Sequence, residues 1–152
     1  MFFFKKNKKG FTLVELIVVI AIIGVLAATG ISSYTRARLL ARDSERHGNI
    51  NQIRLALELY FNDNKTYPQS ACDNGNPTIA GWQALSGAQG LTATIDGEGP
   101  WVILMPQDPL NTTADNFVYK YCSDVTTEYK MSYKTEADGV VHLITKSGLE
   151  NQ

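Results

Sequence analysis

The chain has 152 residues, with 14 Lys and Arg against 15 Asp and Glu, a net charge of −1 and 44% apolar residues. That is enough for one domain of ordinary size with a terminal segment to spare. It excludes a disordered polyelectrolyte and, with no basic excess, a general nucleic-acid binder. Four of the basic residues, Lys5, Lys6, Lys8 and Lys9, precede Gly10, and every acid follows it, which leaves residues 11–152 near −5.

In chain order, the first element is a basic leader ending in Gly10, then an almost wholly apolar run from Phe11 to Ile31. A run of that length spans a bilayer as a helix. The lysines ahead of it hold the leader on the cytoplasmic side and send the C-terminal part across. One carboxylate, Glu15, lies inside the run. A charge at the centre of a membrane segment costs roughly 2.5–3.5 kcal/mol on insertion scales and less near its ends, so a lone acid there is a functional candidate. An ordinary secretory signal places its cleavage site after the apolar region. Ala27-Ala28-Thr29-Gly30 is a poor version of such a site, and it leaves both Glu15 and the Gly10-Phe11 junction unexplained.

Gly10-Phe11-Thr12-Leu13-Val14-Glu15-Leu16 resembles the processing motif of type IV prepilins and type II secretion prepseudopilins. The resemblance implies cleavage between Gly10 and Phe11 by a prepilin peptidase, followed by N-methylation of Phe11. It implies that Glu15 pairs with the Phe11 amine of a neighbouring copy as subunits leave the lipid, which removes most of the penalty of an unpaired buried charge. It also implies a pilin-like α+β fold, with a long N-terminal helix packed on a small antiparallel sheet. Partners on this reading are the peptidase, other copies of the chain, and an assembly platform with its ATPase. The location is a bacterial cytoplasmic (inner) membrane, single-pass with the N-terminus in the cytoplasm, and then a periplasmic or extracellular filament.

The helical pattern continues beyond the apolar run. Between Tyr34 and Phe61 there is no proline, and Gly48 is the one glycine. Arg36, Arg38, Arg42 and Arg46 mark emergence into water. Ile50, Ile53, Leu57 and Tyr60 then recur at helical spacing and define a buried face, which Leu55, Leu59 and Phe61 are expected to widen. Asn62 to Pro68 carries the stop signals. The expected divisions are a leader over 1–10, an anchor and assembly half-helix over 11–33, a soluble half-helix over 34–61, and an α+β head over 62–152.

Residues 62–115 read as irregular, with turns at Asn74-Gly75-Asn76-Pro77 and Gly97-Glu98-Gly99-Pro100. A short helix is expected around Thr78–Leu85, and Trp101 to Leu104 reads as a strand or a buried connector. Three strand-like runs follow at 116–122, 128–134 and 140–145, an antiparallel meander with one face on the helix. Cys72 and Cys122 lie on the far side of the membrane in this orientation, where they read as one disulfide. Two free thiols in a reducing compartment are the alternative.

The later segments Ala56 to Tyr60, Tyr67-Pro68 and Met105-Pro106-Gln107-Asp108-Pro109 are similar to major pseudopilins and related pilins. Major pseudopilins carry a calcium loop near the C-terminus. Asp124, Glu128 and Asp138 are the oxygen ligands this chain offers for one, and no cofactor is expected. His47 and His142 stand apart from metal-ligand spacings, and no phosphate loop or nucleophile elbow occurs. The chain therefore reads as a filament subunit without enzymatic activity and with no nucleic-acid partner. The alternatives are a minor pilin whose head binds DNA or a surface, and a single-span anchored domain that never polymerises.

Overall fold

A computed structural model describes residues 10–87, 89–93 and 97–150, leaving aside the side chains of residues 32, 149 and 150. The leader lysines Lys5, Lys6, Lys8 and Lys9 lie outside the described residues. The chain divides into two compact units, Met1–Arg38 and Leu39–Gln152. One helix, α1 (Leu13–Asn64), contributes to both. In the first unit its apolar side chains from Leu13 to Ile31 are exposed all round. It is long and apolar enough to cross a membrane.

In the second unit, α1 is followed by α2 (Ile79–Ala84) and a four-stranded antiparallel sheet of β1 (Lys120–Val125), β2 (Glu128–Lys134), β3 (Val141–Thr145) and β4 (Gly148–Glu150), in that spatial order. Strand β4 has no counterpart in the sequence reading, because a three-residue strand is too short to show alternation. Register pairs Met131 with Tyr121 on one side and Ile144 on the other. Alternation therefore sends Tyr129, Met131 and Tyr133 inward, where they share one core with Ile50, Ile53, Leu57 and Tyr60 of α1.

Leu55 and Leu59 do not widen that buried face. They are 64% and 47% exposed, because at 100° per residue both lie far around the helix from Ile53 and Leu57. Trp101–Leu104 forms neither a strand nor a buried connector. Val102 is buried, but Ile103 and Leu104 project outward.

The segment before the sheet is sewn to its β1 edge. Ser70 and Ser123 exchange backbone hydrogen bonds, as do Thr78 and Tyr121. Between them Cys72 and Cys122 are joined by a disulfide. Thr78 caps α2 by accepting from Gly81 N at 3.0 Å, as an N-cap threonine should. Gly81 is there for space, since a Cβ would stand 1.9 Å from the Tyr121 carbonyl oxygen. The turn at Asn74-Gly75 takes φ of 49° and 79° at its two central residues, the left-handed values that this residue pair tolerates.

The disulfide links positions 50 residues apart. In the chain-entropy model a loop of that length contributes about 4 kcal/mol. Cys72→Ser with Cys122→Ser is accordingly expected to lower the urea midpoint of the detergent-solubilised chain, whereas reductant added to the double variant should change nothing further. An unchanged midpoint would show that the edge hydrogen bonds suffice without the crosslink.

Candidate functional site

Two sites stand out, one in each unit. The first is the start of α1. Thr12 is its N-cap, and its N–H and Oγ1 both donate to Glu15 Oε2 at 2.8 Å, while Glu15 N donates back to Thr12 Oγ1 at 3.3 Å. This reciprocal arrangement is a capping box, and it places the carboxylate beside the positive end of the helix dipole. Gly10 and Phe11 are exposed just ahead of it. Glu15 thus stands in the first turn of α1, four residues after Phe11. The sequence reading leaves Thr12 apart from Glu15, although the spacing Thr-x-x-Glu before an apolar run is the signal that identifies the pair.

The second is an ionic knot where α1, the segment around Asp108 and the β2–β3 turn meet. Arg46 does not emerge into water as the sequence reading has it. Its side chain is fully buried. Arg46 Nε and Nη2 donate to the two carboxylate oxygens of Asp108 at 2.7 and 3.0 Å. Nη1 meets Asp43 Oδ1 and Glu136 Oε1, each at 2.7 Å. The Phe117 ring covers the guanidinium, with its centroid 4.9 Å from Cζ.

Arg42 adds a second pair to Glu136, with Nε 2.7 Å from Oε1. Asp43 also accepts from the backbone N–H of Glu136 and Ala137 at 2.8 and 2.9 Å. Arginine suits this place because its planar fork can satisfy several carboxylates at once. Periodicity could not reveal it, since position 46 falls on the same helical face as Ile50 and Ile53, yet a charged residue reads as solvent-facing.

The knot sets the acid side of stability. Burial alone would raise the Asp43 carboxyl, but the two backbone N–H groups and Arg46 outweigh it and hold it below its ordinary 3.8. Hydrogen bonds from Arg42, against burial and with help from Arg46, hold Glu136 below its ordinary 4.5. Both groups have folded values below their unfolded ones. Their contribution is therefore complete above the unfolded values and is lost as pH falls through the folded ones. Thermal stability is expected to be flat from pH 7 to about 5 and to fall below about 4.5. Asp43→Asn should flatten part of that fall. A wild-type curve with no acid limb would remove these carboxylates from the account.

The calcium candidates are not assembled. Asp124 and Glu128 flank the β1–β2 turn, where Asp124 Oδ1 accepts from Cys72 N at 2.8 Å. Asp138 lies beyond the opposite end of β2, in the β2–β3 turn, and accepts from Thr135 Oγ1 and Val140 N. Among the described residues no group of three or more His, Cys, Asp or Glu could hold a metal. His47 and His142 have their rings 6.2 Å apart. Nδ1 of His47 donates to the Asp43 carbonyl at 3.2 Å, and Nε2 shares a hydrogen bond with Tyr133 Oη at 3.1 Å. They are packing histidines of the sheet–helix contact.

Residues 5–31 match a family model described as the prokaryotic N-terminal methylation motif. The chain is 30% identical over 109 residues to a probable minor fimbrial protein of Dichelobacter nodosus, covering 72% of this chain and 69% of that protein. It is 33% identical over 120 residues to the type IV major fimbrial protein FimA of the same organism, covering 74% and 70%.

The chain belongs to the family of type IV pilins and type II secretion pseudopilins.

A third relative is the type II secretion system core protein G of Pseudomonas aeruginosa, 31% identical over 86 residues, covering 51% of this chain and 61% of that protein. No solved structure matches the chain. As a pilin-family member it is a structural subunit, and its α1 and antiparallel sheet are the long helix and small sheet that the sequence resemblance implies. The family also accounts for an apolar, exposed α1 start as a membrane anchor before assembly.

Proposed function

We propose that the chain is a prepilin, inserted in a bacterial cytoplasmic membrane with its leader inside. It is cut by a prepilin peptidase between Gly10 and Phe11, methylated on the new Phe11 amine, and polymerised through residues 11–61 into a type IV pilus or a secretion pseudopilus. An assembly platform and its ATPase supply the work. The supporting observation is the Gly10-Phe11-Thr12-Leu13-Val14-Glu15 run at the start of a helix whose apolar side chains from Leu13 to Ile31 are exposed. Among the described residues nothing covers those side chains, so lipid first and neighbouring copies later are the surroundings that suit them. The assembly is heterologous and open, each copy offering one surface to the copy before it and another to the copy after.

Intact mass of the protein taken from its host membrane tests this reading. The expected mass lacks residues 1–10 and carries one methyl group on Phe11. A chain left whole, or cut near Ala28, would overturn it and favour an anchored or secreted domain. A minor subunit is the second reading, favoured by the likeness to a probable minor fimbrial protein. Quantitative mass spectrometry of sheared filaments separates a bulk component from a rare one.

A further inference from the structure

Two arginines just beyond the apolar run of α1 stand without an acid partner. Arg36 and Arg38 are exposed, and no Asp or Glu lies between Glu15 and Asp43. Among the described residues, ion pairs hold Arg42 and Arg46 to Asp43, Asp108 and Glu136, and none holds Arg36 or Arg38. The guanidinium of Arg38 instead lies over the exposed Tyr34 ring, with Cζ 5.7 Å from its centroid. In the orientation proposed above, these cations are on the side that membrane proteins keep poor in Lys and Arg, which makes their retention informative.

Helix geometry sets their depth. A hydrocarbon core about 30 Å thick takes about 20 helical residues at 1.5 Å each. With Phe11 at the inner boundary, the core ends near Ile31. Tyr34, Arg36 and Arg38 then stand about 5–10 Å beyond it, in the headgroup layer. An aromatic ring suits that level, and long cationic side chains can reach along the helix toward phosphate. The guanidinium fork matches phosphate oxygens in pairs. Arg36 and Arg38 are two positions apart, so they leave α1 about 200° from one another. A partner protein would meet one side of the helix. Cations on both sides fit a ligand that surrounds it, as lipid does, and the apolar run before them is likewise exposed all round.

We infer that Tyr34, Arg36 and Arg38 form a collar that binds the phosphates of anionic phospholipids in the leaflet opposite the leader and fixes the depth of the anchor before assembly. This inference rests on the membrane-anchored reading above and adds a ligand class to it.

The test places a photo-crosslinking amino acid at position 37 of the full chain, between the two arginines and exposed. The chain is reconstituted in vesicles of phosphatidylcholine and phosphatidylglycerol in equal parts, and adducts are mapped by peptide mass spectrometry. Phosphatidylglycerol is expected to be captured about fivefold or more over phosphatidylcholine, the factor that one Arg near an anionic surface supplies. The excess should shrink at high salt. Arg36→Gln with Arg38→Gln should capture the two lipids equally, with vesicle flotation unchanged. Equal capture by the unaltered chain, the same excess in the glutamine variant, or adducts mainly to a second copy or another protein would each overturn the collar and leave the anchor intact. An unaltered chain that fails to float with the vesicles would overturn the anchor and the collar together.

Discussion

Replacing Arg46 with alanine is expected to destabilise the globular unit by about 3–5 kcal/mol, the range for removing one partner of a buried ion pair. The change would strand Asp108, whose side chain is wholly buried, and would leave Asp43 and Glu136 short of a partner. The three carboxylates differ in the donors they keep. Asp43 keeps the Glu136 and Ala137 amides, and Glu136 keeps Arg42. Asp108 keeps only the Leu110 and Asn111 amides, at 2.9 and 3.4 Å and both on Oδ1, and loses both contacts to the guanidinium, so it should bear most of the cost. Arg46→Lys should recover little, since an ammonium cannot fork to Asp108 while also reaching Asp43 and Glu136. The check is urea unfolding of the detergent-solubilised chain, followed by tryptophan fluorescence. Trp82 hydrogen-bonds Pro106, two residues before Asp108, and so reports on the part the knot holds. A loss under about 1 kcal/mol would mean that water enters and replaces the guanidinium.

Glu15→Ala is expected to leave the membrane pool of the protein near normal and to cut filament yield by an order of magnitude or more. In the proposed assembly the carboxylate pairs with the Phe11 amine of a neighbouring copy. An unpaired ammonium in a water-poor filament core carries a cost of several kcal/mol. Within one chain, Glu15 is already satisfied by Thr12, so the monomer has a neutral-donor partner for the acid before any neighbour arrives. Thr12→Ala removes only one of the two donors to Glu15, since the backbone N–H remains. It should cost about 1 kcal/mol of helix-start stability and impair assembly less than Glu15→Ala. The measurement is sheared filament against membrane-bound protein by immunoblot. Equal filament yields for wild type and Glu15→Ala would reduce the acid to a capping residue.

Much of the molecule was legible in the sequence because it rests on local rules. The basic leader, Gly10, the lone acid Glu15 and the apolar run depend on charge and length alone. The core face of α1 at Ile50, Ile53, Leu57 and Tyr60 follows from a period of 3.6, and Tyr129, Met131 and Tyr133 of β2 from a period of two. Family membership follows from that same N-terminal run together with similarity along the rest of the chain.

What the sequence could not decide are the places where residues distant in the chain set a side chain's surroundings. Arg46 looks like a surface charge until Asp108, 62 residues on, and Glu136 are folded against it. Leu55 and Leu59 look like core until the helix is docked and the far side of α1 proves uncovered. Ile103 and Leu104 look like part of a strand or a buried connector until Trp101 and Asp108 are pinned and the segment between them turns outward. Burial of a charge and exposure of an aliphatic each reverse the usual preference. The buried charge is offset by partners that only the tertiary structure brings within reach, and the exposed aliphatics are known only once the packed faces are.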